Sequence, residues 1–306
     1  MLKKILIITI LINLLTGDSY ILFSPFIPYP EEDVIFHTFL ISQDGNIQHA
    51  WDHDCSTAST AYLIENDILI RPCEVEFPVI DLPGTGGRIQ KIDWMGELLW
   101  DYTFSSDSMH QHHDIEVLPN GNILILAWET KSQDEVITAG KINHTGALYS
   151  DMIIEIEPVG LFSSNIIWKW YFWDHLIQDT IPELENYGNL SEHPELLDIN
   201  FAGLVGDGPG PPDSGSPDFT HCNAIHYIEE LDQIIITSRR ANEIFIIDHS
   251  TTIDEAAGHT GGIYGQGGDF LYRWGNSENY GRGNSEDQVL FAPHSANWIQ
   301  SGNFGE

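Results

Sequence analysis

Three histidines, His113, His221 and His294, hold equivalent places in a recurring pattern, each opening an apolar segment: HDIEVL, HCNAIHYI and HSANWI. Gly121-Asn122 and Gly302-Asn303 each begin eight residues after their histidine, which checks the register. The first unit carries Ala58 there, so the repeat itself does not demand a histidine. Neutral imidazole is a nucleophile, a base and a metal ligand, and recurrence in three units predicts convergence on one region. Asn223 stands two residues after His221, and strand alternation would set both side chains on one face, about 7 Å apart. An amide beside an imidazole suits oxyanion recognition and is a poor ligand for zinc or copper. Asp114 is expected on the opposite face, orienting loop backbone. Arg239 and Arg240 follow the apolar run Ile234–Ile236 in a chain with only 12 Lys and Arg. One of them near the histidines would supply a planar, permanently charged clamp for a tetrahedral oxyanion; surface cover is the alternative.

The elements that must position these residues are short strands with turn signals and almost no amphipathic helix. Four units recur: Thr38–Ile70, Ile89–Leu126, Ile153–Ile236 and Phe270–Ile299, each with apolar strands, a Gly or Asn turn and a Trp closing the second strand. An all-β protein built of four-stranded blades, a β-propeller, is the architecture this predicts. A β-sandwich is the competitor, and the regular Trp-to-Trp recurrence argues against it. Residues 174–219, with Pro182, Pro194 and Gly208-Pro209-Gly210-Pro211-Pro212, read as a long inserted loop with a short helix near Pro194–Leu197. The fourth unit lacks its last strand at Gly302–Glu306, which predicts a longer parent whose ring is sealed by further blades.

Composition narrows the partners. Twelve basic against 46 acidic residues give a formal charge of −34, a field that repels nucleic acids and anionic membranes. Met1-Leu2-Lys3-Lys4 followed by the apolar run Ile5–Leu15 reads as a secretory signal over residues 1–19, with residues 20–306 the propeller domain. The run is short for a membrane span, so the mature chain is expected in the periplasm or secreted, with no membrane insertion. Cys55 and Cys73 could pair in such a compartment, leaving Cys222 as either a buried or a reactive thiol.

The segments HHDIEVLPNGNILIL, HCNAIHYIEELDQIIITSRRANEIFIIDHST, GGDFLYRWGN and DQVLFAPHSANWI occur in this order and resemble the bacterial aryl-sulfate sulfotransferases, six-bladed periplasmic propellers. The resemblance covers residues 38 to 306. It implies transfer of a sulfuryl group from an aryl sulfate to a phenol through a transient sulfohistidine, without PAPS or any other cofactor. It implies His294 as nucleophile and His221, Asn223 and Arg239 as holders of the sulfuryl oxygens. His113 would be a further catalytic histidine, with His112 beside it at the substrate. Ser295 stands where family members often carry Asp, and the family's last blades are missing. Two other readings stay open: a non-catalytic ligand-binding propeller, and a metal-dependent hydrolase built on the histidines. Homo-oligomerisation is left open too.

Overall fold

The structure is a computed structural model that describes residues 19–25, 34–201 and 216–299. The N-terminal apolar run, the Gly208–Pro212 stretch and the Gly302-Asn303 turn lie outside the described residues. Four antiparallel sheets follow one another along the chain. The first holds β1 (Tyr20–Phe23), β2 (Phe36–Ser42) and β3 (Ile47–His53). The second holds β4 (Tyr62–Ile64), β5 (Ile68–Glu74), β6 (Gly87–Ile92) and β7 (Leu98–Thr103). In the third are β8 (Met109–Val117), β9 (Ile123–Lys131), β10 (Leu148–Val159) and β11 (Ser163–Tyr171). A parallel pair, β12 (Leu176–Ile177) and β13 (Leu197–Asp198), precedes the fourth sheet of β14 (Cys222–Ile228), β15 (Gln233–Ser238), β16 (Glu243–Asp248) and β17 (Tyr272–Trp274). The α-helices described are two short ones, α1 (Gln133–Thr138) and α2 (Ile253–Ala256), each opened by a capping box, Ser132/Glu135 and Thr252/Glu255.

The all-β expectation matches this architecture, but the sequence repeat is cut two strands out of phase with the sheets. β2 pairs with β1 on one side and β3 on the other, while β4 and β5 continue into one sheet with β6 and β7. A strand-turn-strand pattern does not distinguish a hairpin inside a sheet from a crossing between sheets. The correction matters because β8, the strand of His113, is therefore the first strand of its sheet. β16 was not assigned from sequence and takes the place in the fourth sheet that β10 takes in the third. The helix expected near Pro194–Leu197 is absent: the carbonyls of Pro194 and Leu196 accept from Arg273 Nη1 at 3.4 and 2.8 Å, and Glu195 O accepts from Phe270 N at 3.0 Å. Those acceptors are thus unavailable for helical bonds, and Leu197 enters β13 instead.

An apolar core fills each gap between successive sheets. Trp51, Leu69 and Ile92 lie between the first and second; Ile89, Trp100, Ile115, Ile125 and Ile154 between the second and third; Leu124, Leu126, Ile153, Ile234 and Phe245 between the third and fourth. Alternation along β9 explains its continuous apolar run, since Ile123 and Ile125 face one core and Leu124 and Leu126 the next.

The recurring tryptophans tie each sheet to its successor. Trp51 Nε1 donates to Asp93 O at 2.9 Å, Trp100 Nε1 to Ser163 O at 2.8 Å, and Trp168 Nε1 to Thr251 Oγ1 at 3.0 Å. In each case the indole sits on the last strand of its sheet or of the first sheet's meander, and its N–H reaches the outer hairpin of the next. Trp100→Phe keeps much of the apolar volume but strands a carbonyl, and is expected to lower unfolding stability by about 1–3 kcal/mol in chemical denaturation.

Cys55 and Cys73 form a disulfide, and Cys222 is a buried free thiol. The bridge spans 18 residues, and the chain-entropy relation assigns such a loop about 3 kcal/mol. A Cys55→Ser/Cys73→Ser variant is expected to lose roughly that amount in denaturant titration, whereas Cys222→Ser should leave thiol-disulfide titration of the bridge unchanged.

Candidate functional site

β8 and β14, the first strands of the third and fourth sheets, lie side by side, and the histidine cluster forms where they begin. Ordinary pairing of β8 with β9 is interrupted between Gln111 and Ile115. His113 sits in that gap with a left-handed backbone, φ +50°. His221 immediately precedes β14 with φ +47°, and β14 itself has a register shift between Cys222 and Ala224. The simple alternation expected for His221 and Asn223 therefore does not hold across this segment: His221 lies outside the strand, at a backbone reversal. Ser295, the residue after His294, has the same left-handed conformation at φ +54°.

The rings of His113 and His221 meet edge to face, 4.8 Å between centroids. Behind His113, His112 is fully buried and stacks on Trp128 at 3.9 Å. His112 Nδ1 is 2.9 Å from His113 Nδ1, and its Nε2 lies 2.9 Å from Asp151 Oδ1. The negative charge of Asp151 beside Nε2, in a contact that lacks hydrogen-bond geometry, favours a proton there, which would make His112 Nδ1 the acceptor from His113 Nδ1 and leave His113 Nε2 with the lone pair. His112 was expected at the substrate; with no exposed surface it instead backs and orients His113. Burial, reinforced by the neighbouring His112 and His221, drives the pKa of His113 far below that of free imidazole, and burial does the same for His112.

His221 is held by Asp218, whose Oδ2 makes a short contact with Nδ1. Asp218 is fixed in turn because its neighbours pair with the start of β10: Tyr149 N donates to Pro217 O at 2.6 Å, and Phe219 N to Tyr149 O at 2.9 Å. Asp151 Oδ2 accepts from Cys222 N at 3.1 Å and from the Thr220 hydroxyl. Asp114 does orient backbone, as expected, but that of another sheet: its Oδ2 accepts Ile225 N at 3.1 Å. Burial pushes Asp151 and Asp114 up to about 6. The same burial, with Asp151 beside it, raises the Cys222 thiol well above its usual range, so Cys222 is packing rather than a reactive group.

His294 is exposed, in the irregular segment 291–299. The strand expected from His294 to Ile299 is not formed; backbone groups there bond to side chains of the fourth sheet. Ala292 N donates to Asn242 Oδ1 at 2.7 Å, Ala296 N to Thr237 Oγ1 at 3.0 Å, and Asn223 Nδ2 donates to Pro293 O at 2.9 Å. Asn223, expected as an oxyanion donor, thus spends one amide hydrogen holding the residue before His294. Burial and then the charges of Arg239 and His221 lower the pKa of His294 below 6.5. Arg239 is half-buried, and its backbone N–H donates to His221 O at 3.0 Å. His113, His221, His294 and Arg239 are thereby brought together, with Asn223 and His112 as supports.

Sequence reasoning missed Asp218, Asp151 and Gly84. An aspartate three residues before a histidine was a visible signal for the first, whereas Asp151 lies 69 and 71 positions from Thr220 and Cys222. Gly84, at φ +89°, has no room for a side chain: a Cβ would lie 2.1 Å from the His113 ring. His113 N also donates to Gly84 O at 2.7 Å. Gly84→Ala should displace the His113 ring, seen as altered imidazole shifts by NMR, while global unfolding remains cooperative.

Three imidazoles and a guanidinium thus meet on an all-β stack of sheets, His113 from β8, His221 from just before β14, Arg239 from the end of β15 and His294 from the irregular segment 291–299. The chain belongs to the arylsulfotransferase (ASST) family, whose profile matches residues 36–302. Searched against curated proteins, it has no match. Solved structures similar to it include the hydrazine synthase of Kuenenia stuttgartiensis, at 10% identity and a TM-score of 0.39, covering 78% of this chain and 55% of that one. Another is a protein of unknown function from Bacteroides caccae, at 10% identity and a TM-score of 0.32, covering 83% of this chain and 73% of that one. The chain thus spans about half the length of the hydrazine synthase chain. Among the described residues, no helix is long and apolar enough to cross a membrane.

Proposed function

We propose that this protein transfers a sulfuryl group from an aryl sulfate ester to a phenol through a sulfohistidine on His294, independently of PAPS, on a β-propeller scaffold. The observation that carries this reading is the meeting of neutral imidazoles, a carboxylate-held histidine and Arg239 in a chain of the arylsulfotransferase family.

In the first half-reaction the His294 lone pair forms an N–S bond as the S–O bond to the aryl oxygen breaks. The departing phenolate takes a proton, and His221 is the ring suited to carry it, because its Nδ1 is held against the Asp218 carboxylate. His113 is ill suited to that task, since it stays neutral at working pH; its Nε2 lone pair instead receives the phenol hydroxyl as a hydrogen bond. In the second half-reaction the acceptor phenol gives its proton to His221, its oxygen attacks sulfur, and the N–S electron pair returns to His294. Arg239 opposes the negative charge on the sulfuryl oxygens throughout. Splitting one displacement into two lowers each barrier and produces ping-pong kinetics. The disulfide between Cys55 and Cys73 supports an exported, oxidising location.

The test uses the complete gene product with p-nitrophenyl sulfate and phenol. His294→Ala should reduce transfer at least about 10³-fold, and acid-labile sulfate should be trapped on His294 in the parent protein when the acceptor is withheld. Since the pKa of His294 is lowered, loss of the nucleophile by protonation should slow the first half-reaction only as pH falls below 6.5. Undiminished transfer by His294→Ala would overturn the assignment.

A further inference from the structure

We propose that His175, His259 and Asp269 form a binding site for a divalent transition-metal ion of the zinc class, away from the histidine cluster and independent of the sulfuryl-transfer reading. His175 ends the 3-10 turn Phe172–His175 that follows β11, is fully buried, and lies parallel to Trp170 at 5.5 Å. Its Nε2 is 2.9 Å from Ala256 O. A carbonyl only accepts, so Nε2 bears the ring proton, and Nδ1 of the neutral ring presents a lone pair. That lone pair faces Asp269 Oδ1 at 2.7 Å. Two acceptors this close need a positive particle between them, either a second proton, which makes a fully buried imidazolium, or a metal ion.

Three features favour the ion. His259 Nδ1 converges on the same oxygen at 2.8 Å, and one ligand atom from each of the three residues lies within 4.8 Å of the others. Among the described residues this is the set of His, Cys, Asp and Glu side chains with ligand spacing, and the His113 cluster is not one. A histidine whose far N–H is fixed by a backbone carbonyl is oriented as metal-binding histidines are, and two imidazoles with one carboxylate are a zinc-class donor set. The third feature is access. The His259 side chain is 61% exposed and, with Asp174, lines a cavity of about 410 Å³, so solvent reaches the His259 edge of the cluster.

The local backbone is built around this contact. A Cβ on Gly268 would lie 2.0 Å from Ala256 O and 2.6 Å from His175 Nε2, so glycine is needed to bring carbonyl and ring together. Trp170 Nε1 donates to Gly268 O at 2.7 Å. An ion would link the glycine-rich stretch between α2 and Asp269 to the end of β11. Seating it requires the two N···O contacts to open from hydrogen-bond distances to roughly 3.4 Å, for metal bonds of about 2.1 Å in a tetrahedron.

The test titrates chelator-treated protein with Co²⁺ and Zn²⁺, followed by calorimetry and by the visible absorption of bound Co²⁺. One equivalent should bind with a dissociation constant in the micromolar range or below, with Zn²⁺ displacing Co²⁺. His259→Ala, at an exposed position where the thermal transition should be retained, should weaken binding at least about 100-fold. Asp269→Asn should do the same, and His259→Ala is decisive if that buried change unfolds the chain. Absence of binding at millimolar metal would leave a buried imidazolium–carboxylate pair and overturn the proposal. Binding that survives His259→Ala but is lost in His113→Ala would place the ion in the histidine cluster and overturn it equally.

Discussion

Two buried carboxylates, Asp114 and Asp151, hold the third sheet to the first strand of the fourth. Between them they accept Ile225 N, Cys222 N and the Thr220 hydroxyl, and each charged acceptor bond contributes about 1.5–3 kcal/mol. Apolar packing in the same gap supplies more energy but no register, because a layer of Ile and Leu tolerates sliding. The carboxylates supply the register. Without it, the start of β14 and the break in β8 would not lie opposite each other, and His113 and His221 would not share a surface.

That division of labour explains how much could be read from residues alone. The all-β class was legible because β9 and β15 carry unbroken apolar runs, Ile123–Trp128 and Ile234–Ile236, and turn residues punctuate the chain. The cluster members were legible because a histidine recurred at one register position. The grouping of strands into sheets was not, since it depends on which Trp reaches which hairpin. Asp151 and Gly84 were equally hidden: nothing local distinguishes an aspartate in the middle of a strand, or one glycine among LPGTGG, until the chain returns to place His112 or His113 against it.

The backbone reversals at His113 and His221 have a structural logic of their own. A residue in the left-handed region turns its side chain out of the strand's alternating pattern, so an imidazole there is not committed to either apolar core. Each reversal costs roughly 1–3 kcal/mol for a non-glycine residue, and the surrounding bonds, from His113 N to Gly84 O and from Arg239 N to His221 O, hold it in place. The sheets thereby keep their cores intact while presenting polar rings at their edges.

The segment bearing His294 is secured differently from every other part of the site. Asn223, Thr237 and Asn242 moor it by side chains, and among the described residues no backbone ladder runs along it. A ladder moves as a whole, but a moored segment can be re-aimed one tether at a time. Substitutions at those three positions would change the reach of the imidazole while the sheet beneath stays zipped. The place of the His294 ring is therefore free to drift through residues other than the histidine that carries it.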